Sequence, residues 1–190
     1  MTVTTEIREI TDLEALAATA HPIRRRLLDF LDVEGEMTAT AMAESSGQSV
    51  RTIERHLHLL EESRLVEQSA ADEDGERPWR RSAPGMRTQT NDLADDAVTR
   101  AVIFAMLCVT RERHAGFMRE WTEARETFGP DWKVSGFVAD CWLRLSPAEL
   151  VQVRGEFADI FERWSTRDVP DDGVDRRPVT FFAQAVRAQP

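Results

Sequence analysis

The sequence predicts a mostly α fold with a small β component, in two parts. Residues 1–88 read as short helices closed by a hairpin, and residues 89–190 as an α+β region built on one long helix. Three observations carry this. Apolar residues recur at spacings of three and four through most of the chain, the signature of one-sided helices. Strand-like alternation is confined to short stretches. Two Pro/Gly-punctuated breaks, Ala70-Ala-Asp-Glu-Asp-Gly-Glu-Arg-Pro78 and Arg81-Ser-Ala-Pro-Gly-Met86, separate a hairpin from a long helical pattern and set the boundary near residue 88.

Taken in order, Thr11-Asp-Leu-Glu14 has capping-box spacing and opens a helix to about Ala20. His21-Pro22 breaks it, and Pro22 suits the first turn of a second helix whose apolar face is Ile23, Leu27, Leu28, Phe30 and Leu31. Gly35 ends that helix. Thr38 caps a third, through Glu44, on the small face Ala39, Met42 and Ala43. After the turn Ser46-Gly47-Gln48, Ser49 caps a fourth helix, Val50 to Glu62, with Ile53, Leu57 and Leu60 inward. Leu65–Ser69 and Pro78–Ser82 then read as two strands joined by a charged turn. Helix, helix, helix–turn–helix and hairpin is the order of a winged helix-turn-helix.

In the second half, Thr90-Asn91-Asp92 offers N-cap chemistry for a helix from Asn91 to about Thr127, stopped by Gly129-Pro130. Val138 to Leu145 alternates as a strand does, and Pro178 to Ala185 reads as a final strand. Between them Ser146-Pro-Ala-Glu149 combines an N-cap Ser, a first-turn Pro and a capping-box Glu. The helix it starts is lined by Leu150, Val153, Phe157, Ile160, Phe161 and Trp164.

Composition bounds the function. The chain has 190 residues, 42% of them apolar, with 24 basic against 34 acidic side chains and a net charge of −10. That is enough apolar mass for a core, and too acidic for indiscriminate nucleic-acid binding. The longest apolar run, Ala101 to Val109, falls far short of the ~20 residues of a membrane span. The start has no secretory pattern, and two unrelated cysteines, Cys108 and Cys141, make neither a disulfide framework nor a four-ligand zinc site. The expectation is a soluble, cytoplasmic protein with no membrane partner.

Over residues 16–81 the sequence resembles the ArsR-type winged-helix transcriptional regulators. The matching segments are Ala20-His-Pro-Ile-Arg-Arg-Arg-Leu-Leu, Thr38-Ala-Thr-Ala-Met-Ala-Glu-Ser-Ser-Gly, Thr52-Ile-Glu-Arg-His-Leu-His-Leu-Leu-Glu-Glu and Glu76-Arg-Pro-Trp-Arg-Arg. Leu143-Arg-Leu-Ser-Pro-Ala-Glu-Leu and Pro178-Val-Thr-Phe-Phe resemble the extended, actinobacterial-type branch with a helical C-terminal part. The resemblance implies a homodimer that binds double-stranded operator DNA and usually represses transcription. Two features depart from it. Arg64 stands where the turn after the fourth helix usually has Gly, and the wing tip, Asp72-Glu-Asp-Gly-Glu76, is acidic where a DNA-touching wing is basic.

With Ile53, Leu57 and Leu60 inward, the fourth helix turns Arg51, Thr52, Glu54, Arg55 and His58 outward. Arg51 and Arg55 suit guanine O6/N7; Gln48, Ser49 and Thr52 suit phosphate or a base edge at the helix start. Arg77, Arg80 and Arg81 either touch the DNA backbone from the base of the wing or pair with the wing's own acids. His21 and His56 read as capping or core histidines. Metal sensing needs clustered thiolates or His/Asp sets that the sequence lacks, so neither a metal nor a cofactor is expected. No nucleophile elbow, phosphate loop or Cys–His motif points to an enzyme. Residues 101–109 are apolar around the whole helix, which predicts a dimer interface through Ala101, Val102, Phe104, Ala105, Met106 and Val109. Trp121, Phe128, Trp132, Phe137, Trp142 and Trp164 line either a small-molecule effector pocket or an ordinary core and interface. Two other readings stay open beside the DNA-binding one: a winged helix used for protein contact, and a small-molecule sensor that switches DNA binding.

Overall fold

Side chains that satisfy helix ends set the first elements. The computed structural model describes residues 8–10, 12–71, 75–83, 86–88 and 93–187. Strand β1 (Arg8–Ile10) precedes helix α1 (Leu13–Thr19), whose N-cap is Asp12, its carboxylate accepting the Ala15 N–H at 2.7 Å. The expected cap, Thr11, lies outside the described residues. Helix α2 (Pro22–Glu34) is capped by His21, with Pro22 in the first turn and Gly35 at the end. Strand β2 (Glu36–Met37) leads to α3 (Ala39–Ser46), capped by Thr38 and closed by Gly47 in the left-handed conformation, φ 70°. Helix α4 (Val50–Glu62), capped by Ser49, matches its expected bounds.

Arg64 adopts φ 54°, the left-handed turn that its position after α4 demanded; for a residue with a Cβ this costs about 1 kcal/mol. Strands β3 (Val66–Gln68) and β4 (Trp79–Arg81) form the expected hairpin, and β2 adds to it, giving an antiparallel sheet in the order β2-β4-β3. Strand β5 (Met86–Thr88) pairs parallel with β1. Neither β1, β2 nor β5 was expected: β3 and β4 are as short, but they flank a charged turn that marks a hairpin, a signal the other three lack.

Two compact units divide the chain, Met1–Arg111 and Glu112–Pro190. The first is organised around one core. Leu16, Leu27, Leu28, Leu31, Met42, Ile53, Leu57, Leu60, Leu65, Val66 and Trp79 are buried together, and Met106 of helix α5 (Ala97–Ala124) joins them. At ~1.5–3 kcal/mol per buried large side chain, this cluster holds the unit's helices and hairpin together. Helix α5 starts at Ala97 rather than Asn91. Asp96 holds its first turn, accepting the Val98 and Thr99 N–H groups at 2.8 Å, whereas 90–92 lie outside the described residues.

The second unit takes the rest of α5, a 3₁₀ turn at Arg125–Thr127, a short helix α6 (Pro130–Ser135) and α7 (Pro147–Ser165). The capping box at Ser146 and Glu149 is fully formed. The two expected strands are not. Residues 138–145 and 178–185 carry no strand pairing. At 178–185 two neighbouring rings take different partners, Phe181 meeting Phe161 edge-on (5.2 Å) and Phe182 stacking on His114 (3.9 Å). A strand also needs a neighbour for its N–H and C=O groups, however, and among the described residues none lies alongside. The fold is thus mostly α with small β, and its β structure belongs to the first unit.

Candidate nucleic-acid interface

The outward face of α4 is held in place from behind. Ile53, Leu57 and Leu60 have no exposed surface and His56 retains only 4%. This fixes the helix rotation, so Gln48, Ser49, Arg51, Glu54, Arg55 and His58 stand exposed, with Thr52 half-buried. The helix start is capped by its own side chains. Ser49 Oγ accepts the Thr52 N–H at 3.2 Å and meets Thr52 Oγ1 at 2.8 Å, so two hydroxyls sit on the positive end of the helix dipole. The turn before it depends on Gly47, whose positive φ strains any other L residue. Arg26 of α2 donates to the Ser45 carbonyl at 3.3 Å and ties α3 to the scaffold.

The three arginines at the base of the hairpin divide by strand alternation. Trp79 faces the core, 2% exposed, so Arg81, two residues on, shares that side. Its side chain is 7% exposed and forms an ion pair with Asp32 of α2 at 3.0 Å. Arg80 faces the other way, directly between Glu36 and Glu67 in the sheet register. It pairs with Glu67 at 2.7 Å and lies 3.9 Å from Glu36. Arg77 is exposed, with no ion pair among the described residues. Arg80 thus pairs with one of the wing's own acids, Glu67, whereas the partner of Arg81 is Asp32 of α2, outside the wing. The alternation around Trp79 was the signal that separates them. Wing-tip residues 72–74 lie outside the described residues, while Glu76 accepts a hydrogen bond from Thr40 of α3 at 3.2 Å. His58 contacts Glu61 at 3.1 Å and sits against the Trp79 ring, centroids 5.3 Å apart.

Behind α4 the His21 and His56 rings meet at 4.6 Å. Burial, then neighbouring Arg24 and Arg55, hold the His21 pKa below its ordinary value. Burial likewise depresses His56, followed by His21, Arg55 and Arg24. Sequence reasoning placed both rings as cap and core residues; their contact with each other was not foreseen, because they are 35 positions apart.

The surface expected to dimerise is split by the structure. Phe104 is 70% exposed, and Ala101 and Ala105 are exposed beside it; Val102 and Val109 are half-buried. Met106 is 8% exposed and belongs to the chain's own core, so the helix is apolar all round because one side serves that core. Ala101, Val102 and Ala105 also line a shallow apolar groove of about 540 Å³ with Ala17, Ala20, Ala97 and Val98. Among the described residues no group of three or more His, Cys, Asp or Glu could hold a metal ion, and no helix is long and apolar enough to cross a membrane.

Residues 19–69, from the end of α1 to the first strand of the hairpin, match the family model of a helix-turn-helix domain. No curated protein matches the chain. The segment contains α2, α3 and α4, and the adjoining hairpin completes a winged helix-turn-helix. A domain of this kind is typical of DNA-binding transcription regulators rather than of enzymes.

Proposed function

We propose that this protein is a homodimeric transcription regulator of the ArsR type, in its extended branch, that binds double-stranded operator DNA and represses transcription. The observation that supports this best is the exposed polar face over the first two turns of α4, backed by Ile53, Leu57 and Leu60. In this reading Arg51 and Arg55 read guanine edges in the major groove, while Gln48, Ser49 and Thr52 engage phosphate at the helix start. His58 and Arg77 approach the backbone, and Arg80 and Arg81 act by shaping the wing. Exposed Phe104, with Ala101 and Ala105, forms the two-fold contact through α5 and sets the two recognition helices about one DNA turn (~34 Å) apart. The aromatic side chains of the second unit offer the surface on which a small-molecule effector would act.

The test is selection of bound fragments from genomic DNA by the purified protein, followed by titration at several salt concentrations. Sequence-selective binding that weakens steeply with salt is expected. A second reading, a winged helix that contacts protein and not DNA, draws on the internal pairing of Arg80 and Arg81 and on the −6 charge of residues 1–88 (11 basic, 17 acidic). Failure to enrich any fragment would favour it.

A further inference from the structure

His21 and His56 are the one close ring pair in the core between α2 and α4 among the described residues, and both are placed to work only when uncharged. His21 is the N-cap of α2: its Nδ1 accepts the Ile23 N–H at 3.2 Å, which requires a free lone pair on that nitrogen. His56, 4% exposed, packs its ring against His21 at 4.6 Å with the planes tilted by 37°. Its Nδ1 is buried without a hydrogen-bond partner among the described residues, so nothing there stabilises an added proton. The charges acting on the rings are both cationic, Arg24 from α2 and Arg55 from α4. Arg24 is held in place, donating from Nε to the Ala18 carbonyl at 2.5 Å and from Nη2 to the Ala17 carbonyl at 3.0 Å. The other packed elements turn uncharged side chains inward: Leu16 and Thr19 of α1, Met42 and Ala43 of α3, and Val66 of β3.

We infer that the His21–His56 pair is an acid-sensitive latch: while both rings are neutral it holds α4 against the start of α2, and on acidification it loosens that junction and with it DNA binding. Protonating His21 removes the lone pair that caps Ile23 and places a cation at the positive end of α2. Protonating His56 puts a cation beside that ring and two guanidinium groups in a buried site. In both rings the neutral form is the one the fold favours, so the unfolded chain binds more protons than the native one just below the ordinary histidine value near 6.5. Stability is therefore complete above that value and is lost as pH falls from it towards the depressed native values. The DNA-binding half of the inference rests on the regulator reading above; the stability half does not.

The full-length chain is melted between about pH 7.5 and pH 5.5, and its affinity for a selected DNA fragment is measured over the same range. The equilibrium for unfolding should rise about tenfold for each unit by which a ring is depressed, with DNA affinity falling in parallel. His21→Asn, which keeps a capping oxygen, and His56→Gln should each flatten the dependence. Ring-proton titration by NMR on the native wild type needs no variant; it should place both histidines below the ordinary value. A histidine that titrates at or above it, or a His21→Asn melt as pH-dependent as wild type, overturns the latch. Melts that shift with pH while DNA affinity stays constant overturn its coupling to α4. A chain that binds no DNA at any pH overturns the regulator reading, and the melts and ring titration then judge the latch by themselves.

Discussion

The first unit buries a contiguous core of large side chains, whereas none of residues 112–187 of the second is buried. Yet the second unit is not poor in apolar residues. Helix α7 alone exposes Val151, Phe157, Ile160 and Trp164, and Phe137, Trp142 and Leu143 stand open before it. The difference is one of partners. In the first unit each apolar stripe finds another: α4 meets α2 and α3, and the hairpin covers their end. In the second, α7 has a complete capping box and one apolar stripe, so local chemistry makes the helix, while among the described residues its stripe is covered only in part, as where Phe161 meets Phe181.

This contrast can be broken by substitution. The largest effect is expected on α5, which has one residue of each kind. Met106→Glu places a carboxylate in the core of the first unit and should abolish its cooperative melting, since an unpaired buried charge costs several kcal/mol. Phe104→Glu, two residues away and 70% exposed, should leave that melting unchanged while converting a sedimenting dimer to a monomer with poor DNA binding. A wild-type monomer at micromolar concentration removes the dimer proposal.

Next in size is a matched pair of truncations. Leu57→Ala in α4 should destabilise the first unit by about 2–5 kcal/mol in denaturant titration. Phe157→Ala in α7, already 39% exposed, should cost less in a monomeric sample and more where the chain is dimeric. Equal losses in both would mean that the second unit has a core of its own.

Arginine substitutions separate reading from scaffolding. Arg55→Ala should weaken operator binding by about 1–3 kcal/mol and relax preference at one base pair, with the melting temperature unchanged. Arg81→Ala should do the reverse, lowering stability through loss of its buried ion pair with Asp32 while leaving base preference intact. Competition titration beside thermal melting distinguishes them. The smallest effect is expected at the turn after α4, where Arg64→Gly relieves the left-handed strain and should stabilise the chain by up to about 1 kcal/mol, offset in part by glycine's unfolded-state entropy.

How much of this was legible in the sequence follows from how far apart the determining groups lie. Ser49, Thr38 and Ser146 act on amides three residues away, so the helices they start can be read from a short window. The α4 stripe of Ile53, Leu57 and Leu60 likewise lies within two turns and placed the candidate DNA-binding face correctly on the outside. Strands proved harder. Residues 138–145 have the pattern without the partner, while β2 has the partner with only two residues of pattern. Arg81 needed both the strand's register and Asp32 on α2, 49 positions earlier, and the His21–His56 contact needed the α2–α4 packing itself.

In the operator-binding reading proposed above, the Glu36–Arg80–Glu67 ladder bears on how the protein would find its site. It leaves the outward face of the sheet with two carboxylates against one guanidinium, beside a chain that is acidic throughout. Held between those carboxylates, Arg80 is not free to displace counterions from bulk DNA. Each cation withheld from phosphate in this way lowers the salt slope by about one. Affinity for random sequence is then low, and the huge excess of non-specific genomic sites sequesters little of the protein. Occupancy of an operator would depend on base contacts by α4 more than on general attraction to the duplex, with arrival slower but less time lost on wrong sites.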